Sequence, residues 1–177
     1  GDDDAGIYVS ANGTAATIEQ NRVSNAFSFG YEVFAAGSTI SKNQAIDCGS
    51  EDEGGFYIQG DDNTIENNKA TGCDSNGFEI WGSTNALTKN QAKDNTVNGI
   101  VIMSDAMAVE GGIVSTSNRL TSNTCTNNQG QGLNNEGFGT IIEKNKLRKN
   151  RQDLTNATKD GATYVDNGGN KFSTGGL

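Results

Sequence analysis

Short alternations of apolar and polar residues recur along the chain at a fixed distance. Gly55-Phe56-Tyr57-Ile58 leads into Thr64-Ile65-Glu66-Asn67-Asn68-Lys69-Ala70. Gly77-Phe78-Glu79-Ile80 leads into Ala86-Leu87-Thr88-Lys89-Asn90-Gln91-Ala92, each position 22 residues after its counterpart. Alternation with a period of two is the mark of strands that bury one face. The apolar positions line up in four columns: Ile7, Tyr31, Phe56, Phe78, Ile100 and Leu133; Val9, Val33, Ile58, Ile80 and Ile102; Ile18, Ile40, Ile65, Leu87, Leu120 and Ile142; Val23, Ala45, Ala70, Ala92, Cys125 and Leu147. A unit this short cannot close a core alone, so each copy must stack on the next. Like side chains above like, at about 4.8 Å, require parallel strands, and short crossovers between parallel strands coil right-handed. The pattern predicts an all-β fold: a right-handed, single-stranded parallel β-helix of about seven coils, each about 22 residues long, as one domain over residues 1–177.

Each coil opens on a glycine (Gly6, Gly30, Gly55, Gly77, Gly99, Gly132) and turns at an asparagine (Asn21, Asn43, Asn68, Asn90, Asn123, Asn145), with a degenerate seventh coil ending near Asn170-Lys171-Phe172. An asparagine repeated at one turn is expected to form a ladder, its amide bonding the coil beside it. Three coils are longer than the rest. The first has two extra residues around Asn12-Gly13-Thr14, the second has three within Gly49–Glu53, and the fifth has eleven within an insertion loop, 104–117. Insertions on a solenoid shape its binding faces.

The Gly-Phe-x-Ile … Thr-Ile-x-x-Asn-x-Ala repeats resemble the right-handed parallel β-helix proteins of the pectin-lyase-like superfamily, over essentially the whole chain. The asparagine-rich coils with one long insertion are most similar to mannuronan C-5-epimerase-type and NosD-like modules. The resemblance implies the fold and a polysaccharide as the class of partner. It transfers no catalytic residue, because the epimerase site carries a histidine and this chain has none.

Composition narrows the chemistry. The absence of histidine excludes histidine bases and histidine-bearing zinc or copper sites. A net charge of −9 argues against nucleic acid and anionic membranes as partners. No apolar run reaches the roughly 18 residues of a membrane span. The basic set Lys144, Lys146, Arg148, Lys149 and Arg151 in the sixth coil reads as a solvated face. Among the three cysteines, Cys48 and Cys73 hold the same station in adjacent coils, near enough for a disulfide if side-chain direction allows. No loop has the spaced oxygen ligands of a calcium site, so no metal site is assigned. The family resemblance keeps Ca2+ near Glu51–Glu53 as a reserve.

The outward positions of the first strand of each coil stand out. One column reads Tyr8, Glu32, Tyr57, Glu79, Val101, Asn134, and the other Ser10, Phe34, Gln59, Trp81, Met103, Glu136. Aromatic rings on a face that should be solvated mark a binding surface. Alternating rings and carboxylates suit sugars, whose C–H faces stack on rings and whose hydroxyls donate to carboxylates. Tyr8, Phe34, Tyr57, Trp81 and Met103 are the expected binding residues of an extracellular or cell-surface polysaccharide-binding module. Glu32 and Glu79, two coils apart, are the candidate acid/base pair if the chain is instead a glycan hydrolase, lyase or epimerase. A structural segment without ligand is the third reading. The first coil begins almost at once, at Gly6, with no capping helix ahead of it. The expectation is therefore that the chain belongs to a longer β-helix, or that its N-terminal end packs on further coils or another protomer.

Overall fold

The computed structural model describes residues 5–10, 15–105, 112–156 and 161–173. The chain winds through seven coils of three strands each. Coil one holds β1 (Ile7–Ser10), β2 (Thr17–Glu19) and β3 (Arg22–Ser24), and coil two β4 (Tyr31–Phe34), β5 (Thr39–Ser41) and β6 (Gln44–Ile46). Coil three holds β7 (Phe56–Gln59), β8 (Thr64–Glu66) and β9 (Lys69–Thr71), and coil four β10 (Phe78–Trp81), β11 (Ala86–Thr88) and β12 (Gln91–Lys93). Coil five holds β13 (Ile100–Met103), β14 (Arg119–Thr121) and β15 (Thr124–Thr126). Coil six holds β16 (Gln131–Asn135), β17 (Thr140–Glu143) and β18 (Lys146–Arg148), and coil seven β19 (Gln152–Asn156), β20 (Tyr164–Asp166) and β21 (Lys171–Phe172). The first, second and third strands of the coils build three seven-stranded parallel sheets, called A, B and C below.

The four predicted columns are in register: Phe56 pairs with Phe78, Ile58 with Ile80, Ile65 with Leu87, and Ala70 with Ala92. All of these are fully buried. The rings inside sheet A form a stack, Tyr31 on Phe56 at 4.5 Å and Phe56 on Phe78 at 4.7 Å, each pair nearly parallel. Sheet C supplies mostly alanines opposite these rings, and the repeat glycine faces them. A Cβ on Gly77 would lie 2.7 Å from the Gly99 carbonyl oxygen, 2.8 Å from Asn95 Nδ2 and 2.9 Å from Ala92 Cβ. The coil can close only where that side chain is missing.

Between sheets B and C the backbone bends through one left-handed residue: Gln20, Lys42, Asn67, Lys89, Ser122 and Lys144 have φ from 54° to 59°. That conformation is unfavourable for L-residues, and the asparagine that follows offsets it. Asn68 is buried. Its Oδ1 accepts from Asn43 N (2.9 Å), and its Nδ2 donates to the Ile40 carbonyl (2.8 Å) and to Asn90 Oδ1 (3.1 Å). The ladder runs from Asn21 to Asn170 through every coil.

Two further ladders occupy the other bends. Ser38 accepts from Ala16 N and itself donates N–H to Asn63, which is followed by Asn85 and Asn118. At the bend from sheet C to sheet A, Asn95, Asn128 and Asn150 form the third. Cys48 and Cys73 precede Asn95 in that column, and Cys73 N donates to Asn95 Oδ1. Both thiols are free and fully buried. They touch: the Cys73 S–H draws the Cys48 thiol's pKa down, while the same contact and burial push Cys73 up. The extension around Asn12-Gly13-Thr14 and residues 106–111 of the coil-five loop lie outside the described residues, as does the Asp2–Asp4 run.

Candidate functional site

The outer face of sheet A is set by register. Glu32 pairs with Tyr57 and Tyr57 with Glu79, while Phe34 pairs with Gln59 and Gln59 with Trp81. The rings are continuous over the first three coils. Tyr8 lies 5.8 Å from Phe34 and Phe34 5.6 Å from Tyr57, in tilted contacts. A fourth ring, Phe29, packs 5.1 Å from Tyr57. Phe29 leads into the repeat glycine Gly30, in a column continued by Gly54, Asn76 and Asn98. It is a signal present in the sequence, as an aromatic where the next coils carry Gly54, Asn76 and Asn98. Tyr8 is 58% exposed, whereas Phe34, Tyr57, Trp81 and Met103 are half-buried. The predicted binding residues thus share one face, with the rings partly supported by each other.

Along three of these strands, β7, β10 and β16, the two outward side chains hold one another. Tyr57 Oη donates to Gln59 Oε1 (2.9 Å), Trp81 Nε1 to Glu79 Oε1 (2.8 Å), and Asn134 Nδ2 to Glu136 Oε1 (3.0 Å). Asn76 Nδ2 donates to the other oxygen of Glu79 (3.1 Å). Glu79 therefore accepts on both oxygens from neutral N–H groups, and it fixes the indole plane. The Tyr57 hydroxyl is raised in pKa by burial, then by Glu79 and Glu32 on either side. Glu32 and Glu79 stand two rungs apart with Tyr57 between them, about 10 Å backbone to backbone.

Coil five bounds the face. Val101 points outward yet is 1% exposed, so the open strip gives way to a covered apolar surface there. The loop leaving Met103 is closed at its base by Asp105 N donating to the Ile113 carbonyl (2.8 Å). Its return leg is pinned beside Trp81. Gly82 N donates to Ser115 Oγ (2.9 Å), Thr116 N to Ser83 Oγ (3.0 Å), and Ser83 Oγ to the Val114 carbonyl (3.2 Å). Sheet A strands carry no lysine or arginine among the described residues. Near the acidic loop, Ser50 Oγ donates to Glu53 Oε2 (3.4 Å). Among the described residues no group of three or more acidic, cysteine or histidine side chains is placed to hold a metal ion, and no helix is long and apolar enough to cross a membrane.

Right-handed coiling of three parallel sheets with stacked interior columns defines a class, the parallel β-helix. Residues 2–115 match the family described as "Right handed beta helix region", and the chain belongs to that family. Among solved structures it is similar to the Dettilon tailspike protein (gp208), at 14% identity and a TM-score of 0.55. The similarity covers 91% of this chain and 44% of the tailspike chain, and it is one of fold. No match was found among curated proteins.

Proposed function

We propose that the outer face of sheet A binds an uncharged polysaccharide, laid along the helix axis across Tyr8, Phe34, Tyr57 and Trp81. The observation that carries the reading is the unbroken set of tilted rings from Tyr8 to Phe29, continued by an indole that Glu79 holds in place. Rings about one rung apart offer apolar patches to successive sugars, and half-buried rings lose little side-chain entropy on binding. Glu32 and Glu79 supply hydroxyl acceptors, and the lack of a cation on these strands disfavours uronic acids. Kinship of fold with a tailspike is compatible with a glycan partner and an extracellular or surface setting, but the argument rests on the face itself.

Trp81, the sole tryptophan of the chain, reports on the site. Titration with neutral polysaccharides (dextran, xylan, β-glucan, galactomannan) should give a saturable fluorescence change for at least one of them, lost in Tyr57→Ala. A panel without any saturable change would refute the proposal. The register of Glu32 and Glu79 about Tyr57 favours a second reading, glycan cleavage by that pair. Turnover of the bound polysaccharide that disappears in Glu79→Gln while binding persists would establish it.

A further inference from the structure

The sequence left one basic cluster as a solvated face, and the structure gives it a definite shape on sheet C, away from the aromatic strip. Lys146 is paired in register with Lys171, and Arg148 stands two residues along from Lys146 on β18. Lys149 occupies the left-handed bend after β18, and Arg151 lies just beyond it. All five are exposed, and among the described residues none has an ion pair. The acids nearby are committed elsewhere. Glu143 holds Lys144 and Arg119. Asp153 is buried and accepts from Ser173 N and Oγ, both at 2.6 Å, and from Asn150 Nδ2. Eight of the 13 basic residues lie from Arg119 onward, whereas 17 of the 22 acidic residues precede it.

Two like charges directly opposite on neighbouring strands destabilise a sheet, and among the described residues no acid pairs with Lys146 or Lys171. We propose that this end of sheet C is a second binding surface, and that its occupant is an anionic polysaccharide with one carboxylate per sugar. Lys146 and Lys171 stand about 4.8 Å apart across one rung and Lys146 and Arg148 about 6.6 Å apart along the strand, a cluster that a ribbon-like polymer of single charges can follow. Thr124 and Thr126, in register with Lys146 and Arg148, add hydroxyl groups beside it. The outward positions of the sheet C strands carry no aromatic ring among the described residues, so the face lacks the stacking platform of single-strand nucleic acid binders. Duplexes carry one charge per about 1.7 Å, a density that the acidic remainder of the molecule repels.

The test is affinity electrophoresis and calorimetry with polygalacturonate, dextran and polyadenylate at low and at physiological salt. The wild type is expected to bind polygalacturonate, with affinity falling steeply as salt rises, and more tightly than polyadenylate. The triple variant Lys146→Gln/Arg148→Gln/Lys171→Gln should lose at least tenfold. A control triple, Arg22→Gln/Lys69→Gln/Lys93→Gln, removes the same net charge from the same sheet and should change affinity less than twofold. Unaltered circular dichroism in both triples shows that the fold is intact. Absence of polygalacturonate binding, equal losses in the two triples, or tighter binding of polyadenylate each overturn the proposal. So does salt-sensitive self-association without polymer that the first triple abolishes, since that assigns the face to a second copy of the chain. Retention of the Trp81 response to neutral glycans in the first triple would separate this surface from that on sheet A.

Discussion

Asn68→Ala tests the central claim about the scaffold, that the asparagine ladder and not the apolar columns alone fixes the bends. In the wild type Asn43 N has Asn68 Oδ1 as its acceptor, and Asn68 Nδ2 serves the Ile40 carbonyl and Asn90 Oδ1. Truncation strands the buried Asn43 N–H, at about 2 kcal/mol, and removes two donated bonds at about 1 kcal/mol each. The expected loss is about 4 kcal/mol. Asn21→Ala is the matched control. Asn21 donates to the Glu19 carbonyl and to Asn43 Oδ1, no backbone N–H among the described residues donates to its side chain, and Asn43 Oδ1 keeps Asn21 N as a donor. Its loss should cost about 1 kcal/mol. For a chain of this size the melting temperature falls by roughly 2–4 °C per kcal/mol, so the two variants should drop by roughly 12 °C and 3 °C. Urea unfolding followed by Trp81 fluorescence and by far-ultraviolet circular dichroism gives the free energies. Coincident curves establish that the coils unfold together, which a solenoid does not guarantee. Equal destabilisation by the two substitutions would refute the account, since the stranded Asn43 N–H would then add nothing.

Tyr31, whose hydroxyl donates to the Gln44 carbonyl, makes the fold sensitive to alkali: burial pushes that hydroxyl from 10 up to about 12. The folded chain thus keeps a proton that the unfolded chain gives up, so this contribution is full below pH 10 and is lost as pH rises towards 12. Between pH 9 and 11.5 the wild type should lose about 2 kcal/mol more than Tyr31→Phe, and parallel urea-midpoint profiles would contradict this. Gly77→Ala places a methyl group against the Gly99 carbonyl, Asn95 and Ala92 and should destabilise by at least about 2 kcal/mol, measured by the same unfolding curves. Cys48, Cys73 and Cys125 are all fully buried, and burial raises the Cys125 thiol. Iodoacetamide should modify none of them in the native protein and all three in urea, as read by mass spectrometry.

The interior was legible because its columns repeat at a constant interval and burial demands apolar residues at each. The outer face was legible in register but not in contact. The same spacing that placed Tyr57 beside Glu79 could not show that Trp81 donates to that carboxylate, since a side chain's direction is not periodic. Phe29 and Asn76 were missed for the same reason, standing one residue before the repeat glycine. Two of the three ladders were hidden because their columns are mixed. Ser38 stands in for asparagine in one, and Cys48 and Cys73 in the other, so asparagine recurs there only in later coils. The two cysteines occupy a ladder station where a thiol offers only one weak donor and a weak acceptor in place of an amide's two donors and strong acceptor.

Net charge is a sum over the chain, whereas a partner meets one face. At −9 the composition argued against anionic partners, and for the molecule as a whole that holds. In a three-sided rod each sheet turns its outward columns in a different direction, and packed sheets lie about 10 Å apart. At physiological ionic strength the Debye length is about 8 Å, so the carboxylates of sheet A are largely screened from the lysines of sheet C. Inward columns must be apolar in every coil, but outward columns need only avoid clashes. The Lys146 and Lys171 rungs and the Tyr8-to-Trp81 strip could therefore be set independently of one another on one scaffold. Lowering the salt lengthens the screening distance and couples the faces, so the acidic face should then weaken polygalacturonate binding relative to a simple counterion-release line. Curvature of log affinity against log salt at the low-salt end, with a straight line above it, is the signature of two faces on one rod.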